Sequence, residues 1–204
     1  MEETLLLNDM QRDALQEVAN IGAGHASTVL SQMVNREIRM GVPRVDVVAL
    51  EKTIDYVKDE KVVVGVYMKI SQELPSYVLL LIPRQSAFAL VDLLVGDETY
   101  EREILTEMDK SALQEVSNVM ICAFFDSLSE LLGVSLIPGP PVLAYDIPVA
   151  VMDYVLIQIG EVADKIVVFN IELKEEKKNN FKINMFLLPL PNSVNKLLTK
   201  LGVG

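Results

Sequence analysis

Residues 14–22 read ALQEVANIG and residues 112–120 read ALQEVSNVM, one amphipathic turn spelled twice at a spacing of 98. A helix packs well with almost any mixture of apolar letters on its inner face. Packing alone therefore does not restore the same Gln, Glu and Asn at the same places. The correspondence extends to special positions on either side: Asp13, Glu17, Asn20 and Pro43 are spaced D-x3-E-x2-N-x22-P, and Ser111, Glu115, Asn118 and Pro141 are spaced S-x3-E-x2-N-x22-P. Further on, LLLIPRQSAFALVDLLVG ending at Gly96 aligns with MFLLPLPNSVNKLLTKLG ending at Gly202, now at a spacing of 106, so about eight residues have entered the second half between the two anchors. Tandem duplication followed by drift produces such a pattern.

Each half then reads alike. Apolar residues at helical spacing (Leu15, Val18, Ile21, Gly22, Val29 and Met33; Leu113, Val116, Met120, Phe124, Leu128 and Leu131) predict long helices over 9–34 and 107–132. Strand-like segments follow: REIRMGVPRVDVVAL, KVVVGVYMKI and SYVLLLI in the first half, and VSLIPGPPVLAYDI, YVLIQIGEV, KIVVFNIEL and KINMFLL in the second. Short helices over 84–95 and 191–201, each announced by Pro and stopped by Gly, close the halves. The short connections VKDEK, SQELP and EEKKNN point to antiparallel hairpins instead of βαβ crossovers. The fold class is α+β: two pseudo-symmetric repeats, about 9–96 and 107–202, sharing one sheet in a single domain over 1–204, since no Pro/Gly/Ser-rich linker separates them.

Charge and length narrow the chemistry. A formal net charge of −11 disfavours nucleic acid, whose phosphates need clustered Lys and Arg. Apolar runs such as VVVGVYM are strand-length, far below the roughly 18 to 20 residues of a membrane span. The acidic start MEETLLLNDM is unlike an export signal, which makes the cytoplasm the expected location. The single cysteine, Cys122, lies in the apolar run VMICAFF and reads as a buried thiol.

At about 100° per residue, positions 13, 17 and 20 fall within one narrow stripe, and so do 111, 115 and 118, whereas Leu15 and Val18 point the opposite way. Glu and Asn therefore face outward in both copies. They could be ordinary surface letters, with Asp13 and Ser111 capping or solvating the first turn. Asn in an exposed helix costs about half a kcal/mol against Ala, however, and its return at a fixed distance from Glu asks for a use. The stripes lack a nucleophile and base, since His25 has Ala123 as its counterpart, and two residues per helix are too few to ligate a metal. GAGHAS imitates a dinucleotide-binding loop but follows a helix instead of a strand. A carboxamide can still aim a water molecule by donating and accepting hydrogen bonds. Aiming suffices for a substrate that is already reactive, such as the aspartyl phosphate of a receiver domain, whose lysine a glutamate could pair with.

The doubled motif, the continuation NIGAGHAS and the proline after each spacer resemble the CheC family of chemotaxis phosphatases, which includes CheX and the flagellar-switch protein FliY. The resemblance implies hydrolysis of phosphorylated CheY by Glu17, Asn20, Glu115 and Asn118 in two active faces, with Asp13, Ser111, Pro43 and Pro141 supporting the motif. It implies no metal of the chain's own, with Mg²⁺ expected on the CheY substrate. It also implies a second partner, the deamidase CheD, with Asp146 in AYDIPVAVMDYV (144–155) as the matching acid by position. Gly22 and Gly24 are expected to mark close approach of the first helix to the sheet. A binding module, either a CheD adaptor or a phospho-CheY sink with incidental hydrolysis, is the alternative, and a flagellar-switch component is a third.

Overall fold

The computed structural model describes residues 8–41, 43–96, 103–159, 165–175, 180–190 and 193–204. Two 26-residue helices dominate it, α1 (Asp9–Val34) and α3 (Glu107–Leu132). The spacing of 98 holds at both ends of the pair. Asn8 Oδ1 accepts from the Gln11 amide at 2.8 Å while Gln11 Oε1 accepts from the Asn8 amide at 3.2 Å, and Thr106 and Asp109 exchange the same two bonds at 3.2 and 2.8 Å. These reciprocal boxes satisfy amides that the first helical turn leaves free. The caps are thus Asn8 and Thr106, one turn ahead of Asp13 and Ser111. Asn35 (φ 49°) and Gly133 (φ 60°) close the helices in the left-handed region.

The strands are β1 (Ile38–Met40), β2 (Arg44–Ala49), β3 (Val63–Gln72), β4 (Ser76–Pro83), β5 (Leu136–Pro138), β6 (Val142–Asp146), β7 (Lys165–Glu175) and β8 (Asn180–Pro189). They form one antiparallel eight-stranded sheet in which the halves exchange edges: β1 and β2 pair with β7, β5 and β6 pair with β3, and β4 pairs with β8 at the centre. Central register joins Leu79 to Phe186 and Leu80 to Met185. At the spacing of 106, Leu79 corresponds to Met185 and Leu80 to Phe186, so swapping the halves maps this pairing onto itself. β3 and β7 open 102 residues apart, and the closing prolines of β4 and β8 lie 106 apart. The eight added residues thus divide between the segment before β7 and the β7–β8 hairpin, whose tip at 176–179 lies outside the described residues.

Alternation along the strands sends side chains to two cores. Val64, Val66, Met68 and Ile70 join a large core beneath α1, α3 and the short helices α2 (Arg84–Val95) and α5 (Ser193–Lys200). Val63, Leu79, Leu81, Val168 and Phe186 join a smaller one on the other face, under a 3-10 helix (Leu50–Tyr56) and α4 (Pro148–Ile159).

The expected strand YVLIQIGEV is instead the C-terminal part of α4, as far as it is described. Its β-branched letters suggest a strand, but Pro148 pre-sets the first helical turn and the buried residues Val151, Met152 and Val155 recur at helical spacing. Gly65 makes room for it, because a Cβ there would stand 2.3 Å from Val151 Cγ1. The VKDEK turn also joins no hairpin, since β2 pairs with β7 and not with β3. SQELP does make the β3–β4 hairpin. Met33 and Leu131, expected on the apolar faces, are 42% and 45% exposed at the last turns of their helices.

Candidate functional site

The inner faces of α1 and α3 are fixed by Leu15, Val18, Leu113 and Val116, each at most 2% exposed. That burial turns the opposite faces outward. Asp13, Glu17, Ser111 and Glu115 are exposed, and Asn20 and Asn118 are half-buried. Met10 and Met108, one turn before Asp13 and Ser111 on the same faces, are 67% and 78% exposed, a second apolar feature that recurs at 98.

The repeated Gln and Pro are explained together. Gln16 Nε2 donates to the Pro43 carbonyl, and Gln114 Nε2 donates to the Pro141 carbonyl at 2.9 Å. Each proline immediately precedes a strand, β2 or β6. Each helix is thereby latched, beside its Glu and Asn, to the loop that enters the sheet. These glutamines were absent from the sequence-derived site, although the letter Q recurs within both quoted turns. Gln16 and Gln114 border the stripes and are half-buried, but the carbonyls they bond lie 27 residues on, where the sequence marks no partner.

The two asparagines differ in their neighbours. Gln16 Nε2 also lies 3.4 Å from Asn20 Oδ1. At the other stripe the Cys122 thiol donates to Asn118 Oδ1, with sulfur and oxygen 3.6 Å apart. Burial, Asp126 and Glu115 push the Cys122 thiol pKa up, so the group stays protonated and able to donate. Its counterpart at 98 is Gly24, which has no described atom within 4 Å of where a Cβ would stand. Gly22, in contrast, would place a Cβ 2.4 Å from Phe124 of α3. Close approach therefore accounts for Gly22 alone, and the approach is helix to helix, not helix to sheet.

His25 is exposed with no ring partner among the described contacts. Among the described residues no group of three or more His, Cys, Asp or Glu side chains is placed to hold a metal ion, and no helix is long and apolar enough to cross a membrane. Asp146 is exposed at the end of β6, with Oδ1 accepting from the Ile147 amide at 2.7 Å. It lies on a different element from both stripes.

The sequence pattern of the CheC-like family matches residues 10–46, which run from the first turn of α1 through the latched loop into β2. Over these residues the chain is similar to the CheC-like family. Along its length it is 28% identical to the CheY-P phosphatase CheC of Bacillus subtilis, over 200 residues that make up 96% of each chain. The flagellar motor switch phosphatase FliY of the same organism is 28% identical over 136 residues, 66% of this chain and 35% of that protein. In structure, the chain superposes on Thermotoga maritima FliY with a TM-score of 0.80 at 25% identity, covering 97% of this chain and 98% of that one. The family resemblance and the α+β architecture with one antiparallel sheet are both borne out. The matched residues include Gln16, Glu17, Asn20 and Pro43, whose identical counterparts stand 98 residues later.

Proposed function

We propose that this chain hydrolyses the aspartyl phosphate of phosphorylated CheY, with Asn20 and Asn118 orienting the attacking water in two separate faces. The observation that carries the reading is the recurrence of an outward Glu and a half-buried Asn on two helices, each latched by a glutamine to a strand-entry loop, in a chain similar over its length to a CheY-P phosphatase. In the reaction the water oxygen forms a bond to phosphorus as the bond from phosphorus to the aspartyl oxygen breaks. The aspartate leaves as carboxylate, phosphate takes up the hydroxyl, and the remaining proton goes to solvent or phosphate.

Asn supplies geometry and no basicity. Its Oδ1 accepts a hydrogen from the water, which turns a water lone pair toward phosphorus. Glu17 and Glu115 stand one turn away, placed to pair with a lysine beside the phosphoryl group and so to hold the helix over the pocket. The Mg²⁺ that neutralises phosphoryl charge belongs, in this reading, to CheY.

The test is hydrolysis of phosphorylated CheY by the wild-type chain and by Asn20→Ala/Asn118→Ala. Catalysed phosphate release should vanish in the double variant, with the thermal midpoint and most CheY binding retained, and each single variant should keep one working face. Full activity in the double variant would rule out water orientation by these residues. Activity that disappears only together with CheY binding would assign them to docking, the binding-module alternative.

A further inference from the structure

Resting on the proposed reading, we infer that the carbonyl oxygens of the two asparagines are positioned by different donors: the Gln16 carboxamide in the first face and the Cys122 thiol in the second. The helices are alike in length, in the positions of their caps and in the loop latch, all at a spacing of 98. They part in what donates to the asparagine. In the first face Gln16 Nε2 carries two hydrogens, one directed to the Pro43 carbonyl and one to Asn20 Oδ1 at 3.4 Å, so a single amide ties the loop to the asparagine. The partner lies one turn toward the N-terminus of Asn20. In the second face Gln114 is committed to Pro141, and the donor to Asn118 Oδ1 is Cys122, one turn toward the C-terminus.

The first face cannot adopt the thiol arrangement of the second. Position 24 is glycine with open space around it, so the first face has no side chain where the thiol stands in the second. The elevated pKa of Cys122 keeps a hydrogen on sulfur for the purpose. The consequence for chemistry is directional. A carboxamide with one lone pair of Oδ1 engaged has its plane fixed about the side-chain torsion, and its second lone pair is left for water. An amide donor makes a firmer hold than a thiol, which is a weak donor. Gln16 and Cys122 are thus positioning residues, acting through the asparagines and touching neither water nor phosphate.

The experiment isolates one face at a time: Asn118→Ala leaves the first and Asn20→Ala the second. In the first-face background, Gln16→Met keeps side-chain length and removes both donated bonds, and kcat for phosphorylated CheY should fall roughly fivefold to tenfold with KM within about twofold. Gln16→Lys, which restores an N–H donor of similar reach, should recover most of the loss. In the second-face background, Cys122→Ala should lower kcat about threefold and Cys122→Ser should restore it. Gln114→Met there removes only the loop latch and should cost at most about twofold, which separates orientation of the asparagine from anchoring of the helix. Each substitution should act several times more strongly in its own background than in the other. Equal losses from Gln16→Met and Gln114→Met would overturn the inference for the first face. Equal activities of Cys122, Cys122→Ala and Cys122→Ser in the second would overturn it there. Retention of catalysis by the Asn20→Ala/Asn118→Ala double variant is a different result, since it removes the role of the asparagines themselves.

Discussion

A methyl group added at Gly22 would stand 2.4 Å from the Phe124 ring, which is itself enclosed by Phe125 and Phe169 with ring centroids 5.5 Å away. The ring has no free side to retreat to. Two residues on, the same methyl at Gly24 meets nothing within 4 Å. Gly22→Ala should therefore destabilise the chain by about 1–3 kcal/mol through overpacking, and Gly24→Ala should stabilise it by about 0.5–1 kcal/mol by restricting the unfolded chain and favouring the helix. Thermal or denaturant melts of the two variants read the opposite signs directly, and matching signs would contradict the helix–helix contact. Charge at the stripes is a separate matter. Glu17→Lys with Glu115→Lys should weaken binding of phosphorylated CheY at low ionic strength, by like-charge repulsion from the lysine the glutamates are proposed to meet, and the loss should shrink as salt rises. Titration calorimetry at two salt concentrations tests it. Unchanged affinity at low salt would remove the glutamates from the docking step.

Among the elements, α4 is where sequence and structure part. The two long helices were legible because apolar letters recurred at helical spacing in both copies, although their caps at Asn8 and Thr106 were not, and the doubled stripe was legible because polar letters recurred where packing did not need them. α4 was not, because its letters PVAVMDYVLIQI are apolar on most sides and carry little period of either kind. The seat that makes it a helix, Gly65 on β3, lies 86 residues from Val151 and is invisible locally. The glutamine latches were missed for a related reason, since each acceptor is a backbone carbonyl 27 residues away. The corrected element changes the setting of the proposed CheD contact. Asp146 now stands at the junction of β6 and α4, beside Ile147 and Val149, which are 52% and 51% exposed, and Ile157, also on α4, is 77% exposed. Asp146→Lys is expected to abolish co-purification with CheD while phosphate release from CheY continues, because both stripes lie on other elements. Retained CheD binding would place that contact elsewhere on the surface.

For the molecule as a whole, the exchange of edges makes each half depend on the other. β3 takes one neighbour, and β7 one of its two sides, from strands encoded in the opposite half, and the central pair β4–β8 joins the halves directly. A half alone would leave an unsatisfied edge on each of its four strands. Residues 1–103 and 104–204 made as separate chains should accordingly show no cooperative thermal transition by circular dichroism, and should regain one when mixed. A cooperative melt of either monomeric fragment would count against this mutual dependence. The same exchange dictates an order of events during synthesis. β4 is complete at Pro83, but the strand that flanks its open side ends at Pro189, 106 residues later. At translation speeds of roughly 5–20 residues per second, the nascent chain carries a bare apolar strand edge for roughly 5–20 seconds before its partner is made. Crowding of ribosomes on one message would bring such edges together while they are still open, so the yield of folded protein should depend on how fast and how densely the message is translated, even where the finished sheet is stable.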